Sequence, residues 1–387
     1  MARQSEYYRG KRKKRNRVLI PAAILLGLLS LTVVVFYGMQ KYVVINRGSV
    51  RIELPLAQGS EASPLQPEGG DAYGEPAALE TATASISFDE RDYSTIEART
   101  GTGLQPVRAI FVKSDELYPE KIEEYAARLN VGNALVFEMK PQSGAIKWDS
   151  KAQSAKSYAL AGDPLSADMR ELIRRLKTPG ELTTQGVYLV AQISICRDEL
   201  YASRCTTVTL RDKDGFSYRD EGGLWLDAYN LDVRDYTVTM VRELYELGFD
   251  EVVLADVMHP VLGEGVTVQY SREMSTAQGP VSEICGFALS VADELKDREG
   301  KLSIYVNSAS ALVGKDTANG QDGTLFFKLF DRVYYNTDRY AYTFNLADLQ
   351  TKTIVGSYSE RFVPVVINYL PDNPGTISWV LIDTETH

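Results

Sequence analysis

The chain has 387 residues with 44% hydrophobic and 24% charged positions, enough for one large domain or two small ones. Its net charge of −10 hides an asymmetry: residues 1–17 hold eight Lys/Arg against one Glu, which leaves −17 on the remainder. An acidic exterior of that size argues against nucleic acid as a partner, because phosphate binding needs a basic face.

Residues 18–37, VLIPAAILLGLLSLTVVVFY, carry no charge and directly follow the basic block RGKRKKRNR. As a helix the run is about 30 Å long, the thickness of a bilayer core. Positive residues on its N-terminal side stay cytoplasmic. A cleaved signal peptide has a shorter apolar core of about 7–15 residues ending in small side chains. Here the run is longer and ends without an A-x-A site, so it reads as an uncleaved anchor. The expected organisation is a basic cytoplasmic tail (1–17), a single membrane span (18–40), an extracytoplasmic linker (41–104) and one domain (105–387). The protein is therefore expected at the cell membrane, N-terminus inside and domain outside. YVVINRGSVRIEL (42–54) alternates weakly, as a short strand does. Residues 55–104 are rich in Ala, Gly, Ser, Pro, Thr and Glu and too poor in large apolar side chains to form a core.

From residue 107 onward, short apolar runs alternate with amphipathic stretches. The strand candidates are 107–112, 133–139, 186–195, 250–257, 302–307, 332–336, 362–368 and 378–382. Between them, 119–129 places Ile122, Tyr125, Ala126 and Leu129 on one helical face. Residues 163–177 repeat apolar side chains at three and four, with Asp163-Pro164 as a start signal. Residues 231–248 close on Gly248, and 281–296 forms a further helix. The strand runs are continuously apolar, as strands buried on both faces are. About eight such alternations over some 280 residues predict a (β/α)8 barrel rather than an open doubly wound sheet. No G-x-G-x-x-G follows the first strand and no G-x-x-x-x-G-K-[ST] occurs, so nucleotide cofactors lack support. Two histidines and no C-x-x-C make a zinc site improbable, and no cofactor is expected. Cys196 and Cys205 allow a disulfide outside the cell or remain thiols; Cys285 reads as a small core residue.

In such barrels the reacting groups stand at the C-terminal ends of the strands. Those ends offer Glu138 and Lys140 on the second strand, and Gln192, Cys196, Arg197 and Asp198 on or after the third. The fourth offers Asp256 and His259, and the fifth Asn307. Trp225, Asp227 and Tyr229 come from the loop before the helix at 231, and Trp148 from the excursion after the second strand. Carboxylates with aromatic faces suit a carbohydrate site, where two acids divide the roles of proton donor and nucleophile or base. The candidate catalytic residues are Glu138, Asp256 and Asp227. The candidate sugar contacts are Trp148, Trp225, Tyr229, Lys140, Gln192 and His259. Each also has a plainer reading: Asp227 as a cap before a helix, Trp225 and Tyr229 as packing, Lys140 and Arg197 as charge partners.

The order of these segments resembles a bacterial cell-surface family described as a "putative glycosyl hydrolase domain". The likeness is clearest over 107–260 and fainter to 382. Val107-Arg108-Ala109-Ile110-Phe111 follows the family's V-K-x-I-Y strand. Asn133-Ala134-Leu135-Val136-Phe137-Glu138-Met139-Lys140 with Gly144 follows N-A-x-V-I-D-V-K-D-x-x-G. Gly186 to Ile193 follows G-I-Y-x-I-A-R-I, with Gln192 in place of the arginine. Trp225-Leu226-Asp227-Ala228-Tyr229 follows W-x-D-P-Y. Leu247-Gly248-Phe249-Asp250-Glu251 through Asp256 and Pro260 follows L-G-F-D-E-I-x-x-D-Y-I-R-F-P, one residue short and without its arginine. The fifth strand ends in Asn307 where the family pattern S-A-D-V-F-G carries an acid. The resemblance implies a barrel glycosidase acting on a cell-wall or surface polysaccharide. Its departures admit a second expectation, a glycan-binding or scaffolding barrel that has lost turnover.

Overall fold

A computed structural model describes residues 43–46, 49–52, 96–99, 103–129, 132–161, 168–270, 279–337, 359–368 and 378–384. The chain divides into two units, 1–82 and 83–387. In the first, Val43–Asn46 and Ser49–Ile52 pair antiparallel, with Val43 opposite Ile52. The single strand expected at 42–54 is thus a hairpin. The expected anchor at 18–40 and the basic tail lie outside the described residues. Among those described, no helix is long and apolar enough to cross a membrane.

The second unit is a closed barrel of eight parallel strands that follow one another around the ring in chain order. They are β1 (Arg108–Val112), β2 (Ala134–Lys140), β3 (Tyr188–Ser194), β4 (Glu251–Ala255), β5 (Lys301–Val306), β6 (Val333–Asn336), β7 (Phe362–Ile367) and β8 (Trp379–Ile382). β8 closes the ring on β1, with Val380 opposite Ala109. Each predicted run overlaps one of these strands, with β2 reaching one residue further, to Lys140, and β5 starting one residue earlier, at Lys301.

The helices cover the outside. α1 (Pro119–Ala127) links β1 to β2; α2 (Gln153–Ser157) and α3 (Asp168–Lys177) link β2 to β3. α4 (Glu199–Arg204) and α5 (Leu231–Leu247) lie between β3 and β4, and α6 (Pro280–Glu294) between β4 and β5. α7 (Ala309–Val313) and α8 (Gly323–Leu329) precede β6. The start signal Asp163-Pro164 and the links 338–358 and 369–377 fall outside the described residues. α5 begins where the Asn230 side chain accepts from Asp232 N. It ends at Gly248, whose φ of 106° is the left-handed cap a Cβ would oppose.

Continuous apolar strands conceal a period of two. In β2, Leu135, Phe137 and Met139 pack outward in the large cluster shared with the helices. Ala134 and Val136 point into the barrel, where they meet Ala109, Phe111, Val190, Val253, Val363, Val365 and Val380. The inward rows also carry polar groups. Glu251, the first residue of β4, is fully buried at the N-terminal end of the barrel. Its carboxylate accepts from Ser303 Oγ (2.6 Å), Tyr334 Oη (2.8 Å) and Tyr188 Oη (3.0 Å) and pairs with buried Arg332. This cluster forms the floor of the barrel, and Tyr334 belongs both to it and to the cavity above.

Candidate active site

A cavity of about 240 Å³ opens among the C-terminal ends of the strands, and every one of the eight strands contributes lining. Glu138 enters it from β2 and Asp256 from the residue after β4; Gln192, Ser194, Asn307 and Asn336 supply further polar groups. Glu138 and Gln192 stand level in the β2–β3 register. The register then slips between Glu138 and Lys140, and both side chains, two apart on the same face of β2, line the cavity. Two carboxylates 118 positions apart in sequence converge because their strands run the same way around one ring.

Their surroundings differ. Glu138 is largely desolvated, which raises its carboxyl above the ordinary glutamate value; the nearby acids Asp115 and Asp256 add to the rise. Hydrogen bonds from Ser114 oppose it, including one from the backbone N–H to Oε2 at 3.0 Å. Asp256 sits instead in a nest of donors. Gln142 Nε2 lies 3.1 Å from both carboxylate oxygens, and Ser194 Oγ donates to Oδ2 at 2.7 Å. The Asp256 backbone is held at φ 53°, a left-handed conformation uncommon outside glycine that aspartate tolerates better than most. Cys196 N bonds to Asp256 O (3.1 Å), which extends the β3–β4 pairing and fixes the turn. Fully buried Gln321 braces the next strand end: its Nε2 donates to Val257 O (3.0 Å) and Asn307 Oδ1 (3.1 Å).

Lys140 faces the cavity wall, but its charge is engaged. Its Nζ lies 2.8 Å from Asp198 Oδ2, with both side chains 0% exposed, and donates to Ser194 O. Burial pushes the Asp198 carboxyl up and Lys140 pulls it back; a buried ammonium requires that partner. Asp198 also caps α4 through Tyr201 N (2.8 Å). Gly144 is required beside it. Its φ is 83°, and a Cβ there would lie 1.9 Å from Asp198 Oδ1. Gly144→Ala is expected to cost about 1–2 kcal/mol from the backbone alone, with more from the displaced ion pair, measured as a lower urea midpoint.

The other expected contacts lie elsewhere. Asp227 is completely buried and does not line the cavity; its Oδ1 accepts from Tyr229 N (2.9 Å). It stands near Glu283, whose carboxyl is raised well above its usual value by burial and by the Asp227 charge. Trp225 is buried under the Arg197 guanidinium, 4.5 Å from the ring centre, and Arg197 pairs with Asp220 at 3.0 Å. Tyr229 packs edge-on to Tyr270. Trp148 is buried with Nε1 donating to Glu243 of α5 (2.8 Å). None of these three rings faces the cavity. His259 is also buried away from it; its Nδ1 lies 2.8 Å from Pro260 O, and burial lowers its pKa to about 4. Of the nine expected site residues, Glu138, Asp256, Lys140 and Gln192 line the cavity, and Asp227, Trp148, Trp225, Tyr229 and His259 do not; the cap of α5 expected of Asp227 is Asn230. Cys196, Cys205 and Cys285 are buried free thiols.

Sequence reasoning passed over Gln142, Ser194, Tyr305, Tyr334 and Asn336, which line the cavity. Ser194, Tyr305, Tyr334 and Asn336 had a legible signal. They share the inward parity of Val190, Val253 and Val363 in otherwise apolar strands, where a polar group requires a partner or a cavity. Gln142 lies in a loop and carried none.

Residues 111–335 match the sequence profile of a family described as a "putative glycosyl hydrolase domain". The chain belongs to this family. That match spans β1 to β6 of the barrel, including Glu138, Lys140, Gln192 and Asp256. Among solved structures, the family member resembles the PgaB (BpsB) glycoside hydrolase domain from Bordetella bronchiseptica. The identity is 12% over 72% of this chain and 94% of that one, with a TM-score of 0.49. A hypothetical protein from Ruminiclostridium thermocellum is 17% identical over 50% of this chain and 96% of that one, with a TM-score of 0.42. The GH20 catalytic modules of the pneumococcal exo-beta-D-N-acetylglucosaminidase StrH are 10% identical over 72% and 79%, with a TM-score of 0.45. No curated protein matches the chain.

Proposed function

We propose that this glycosyl hydrolase-family domain cleaves a glycosidic bond in a cell-wall or surface polysaccharide, with Glu138 as proton donor and Asp256 as the ionised partner. The observation that carries this reading is the pair itself. Two carboxylates open into one cavity in different surroundings, Glu138 desolvated and Asp256 held by side-chain donors, and a pair of acids in one cleft can divide proton donation from charge stabilisation. Burial raises the Glu138 carboxyl, the direction that suits a proton donor. Asp256 is held in place by hydrogen bonds from Gln142 and Ser194. Gln192, Asn307 and Asn336 supply neutral donors and acceptors of the kind that bind sugar hydroxyls. The basic block and apolar run at 9–37 support placement outside the membrane on an N-terminal anchor.

Asp256→Asn tests the assignment. It removes the charge while preserving the volume and the acceptor for Ser194. Release of reducing ends from purified wall polysaccharide is expected to fall to background, with glycan binding retained. Wild-type rates in this variant would remove Asp256 from the mechanism.

One observation favours the second reading, a glycan-binding barrel without turnover: β5 ends at the cavity in Asn307, an amide rather than an acid. That reading predicts that wild type and Asp256→Asn retain the same glycans and that neither releases product. Product release by the wild type excludes it.

A further inference from the structure

The charge balance of the cavity points to a substrate class, an inference that rests on the glycan reading above and narrows it. We infer that the sugar residue seated between Glu138 and Asp256 bears no acidic group: it is neutral or carries an ammonium, and uronate, sulfated or phosphorylated residues are rejected.

Among the described residues the cavity presents two carboxylates and one basic side chain, Lys140. That lysine is already matched by Asp198 at 2.8 Å, and neither side chain is exposed, so it has no charge left for a ligand. The position level with Glu138 on the neighbouring strand is Gln192, an amide. The next strand ends add Asn307 and Asn336, which are neutral as well. Sugar hydroxyls find donors and acceptors here. A sugar carboxylate or sulfate would give up its water for a site that, among the described residues, offers acidic groups and no uncommitted counter-charge, a cost left uncompensated there. Discrimination of this kind works through a repulsive element as much as through attractive contacts. An ammonium on the sugar meets the opposite situation, since the carboxyl groups lining the cavity are of the kind that pairs with it.

The test uses glycan fragments from whole bacterial cell walls, separated by ion exchange into neutral, amino-sugar and acidic pools. Each pool is equilibrated in the cold with immobilised wild-type protein and with the double variant Glu138→Gln/Asp256→Asn. The wild type is expected to retain neutral and amino-sugar fragments and to bind acidic ones at least about 100-fold more weakly. The double variant is expected to narrow that gap by about tenfold or more, because it removes both acidic groups from the cavity. Equal retention of the acidic pool by the wild type overturns the inference and leaves the glycosidase reading standing. Rejection of acidic fragments that is unchanged in the double variant also overturns it, since the carboxylates would then not be the cause. Retention of no pool overturns the glycan reading and this inference with it.

Discussion

Replacing Glu138 by glutamine is expected to lower kcat for glycan hydrolysis by roughly 10²–10⁴-fold, the usual contribution of a positioned proton donor. The same variant should be at least as stable as the wild type at neutral pH. Both effects have one origin. Burial raises the Glu138 carboxyl above its value in the unfolded chain. Its stabilising contribution is therefore fully present below the unfolded value and is lost as pH rises through the folded one. Glutamine can still accept from Ser114 N but never carries the buried charge. Thermal melts should show the variant level with the wild type in acid and gaining on it towards neutral and alkaline pH. The wild-type pH–rate profile should lose activity on the alkaline side as Glu138 ionises, at a pH above the ordinary glutamate value. A variant that melts lower at every pH, or an alkaline limb untouched by the substitution, would mean that Glu138 is a structural acid. A site that gains stability when its acid is neutralised is the expected signature of function held against stability.

Glu251→Ala is expected to have the largest effect on folding, about 3–5 kcal/mol, because it leaves Arg332 buried without its carboxylate. Arg332 is 1% exposed and Glu251 is fully buried, so solvent cannot replace the lost partner. The same change orphans the hydroxyls of Tyr188, Tyr334 and Ser303. A loss of that size is a large share of the ~5–15 kcal/mol that holds a typical domain together. Urea denaturation of the 105–387 domain within the full chain measures it. Removing both charges, as Glu251→Leu with Arg332→Met, is expected to recover part of the loss, since a matched apolar pair avoids burying ions. If Glu251→Ala cost less than about 1 kcal/mol, the floor would be sustained by the apolar barrel layer alone. Tyr334 links this floor to the cavity, so a surviving Glu251→Ala protein should also bind glycan more weakly.

The barrel was legible in the chain because its cause is local. Eight apolar runs of strand length, separated by stretches of helical period, leave few ways to bury both faces of every strand. Each strand boundary fell within a few residues of the structure, and Gly248 marked the end of α5 by its own backbone freedom. The strand ends also identified Glu138 and Asp256, since a parallel barrel directs all its C-terminal ends to one mouth.

The sequence by itself determined this ring of strands and the two acids that its direction of travel brings together. Only the tertiary structure decided what surrounds each candidate. Trp225 and Trp148 are the residue type that stacks on sugars, yet Arg197 covers one and Glu243 anchors the other inside the fold. Asp227 was chemically as good a candidate as Asp256. What separates them is that Asp227 packs beside Glu283 while Asp256 opens into the cavity. Lys140 was open to two readings, sugar contact or charge partner, and Asp198, 58 residues away, is the partner that engages it. The physical reason is common to all four. Exposure, partner and protonation state belong to a residue's neighbours, and in a barrel those neighbours arrive from strands and loops far away in the chain.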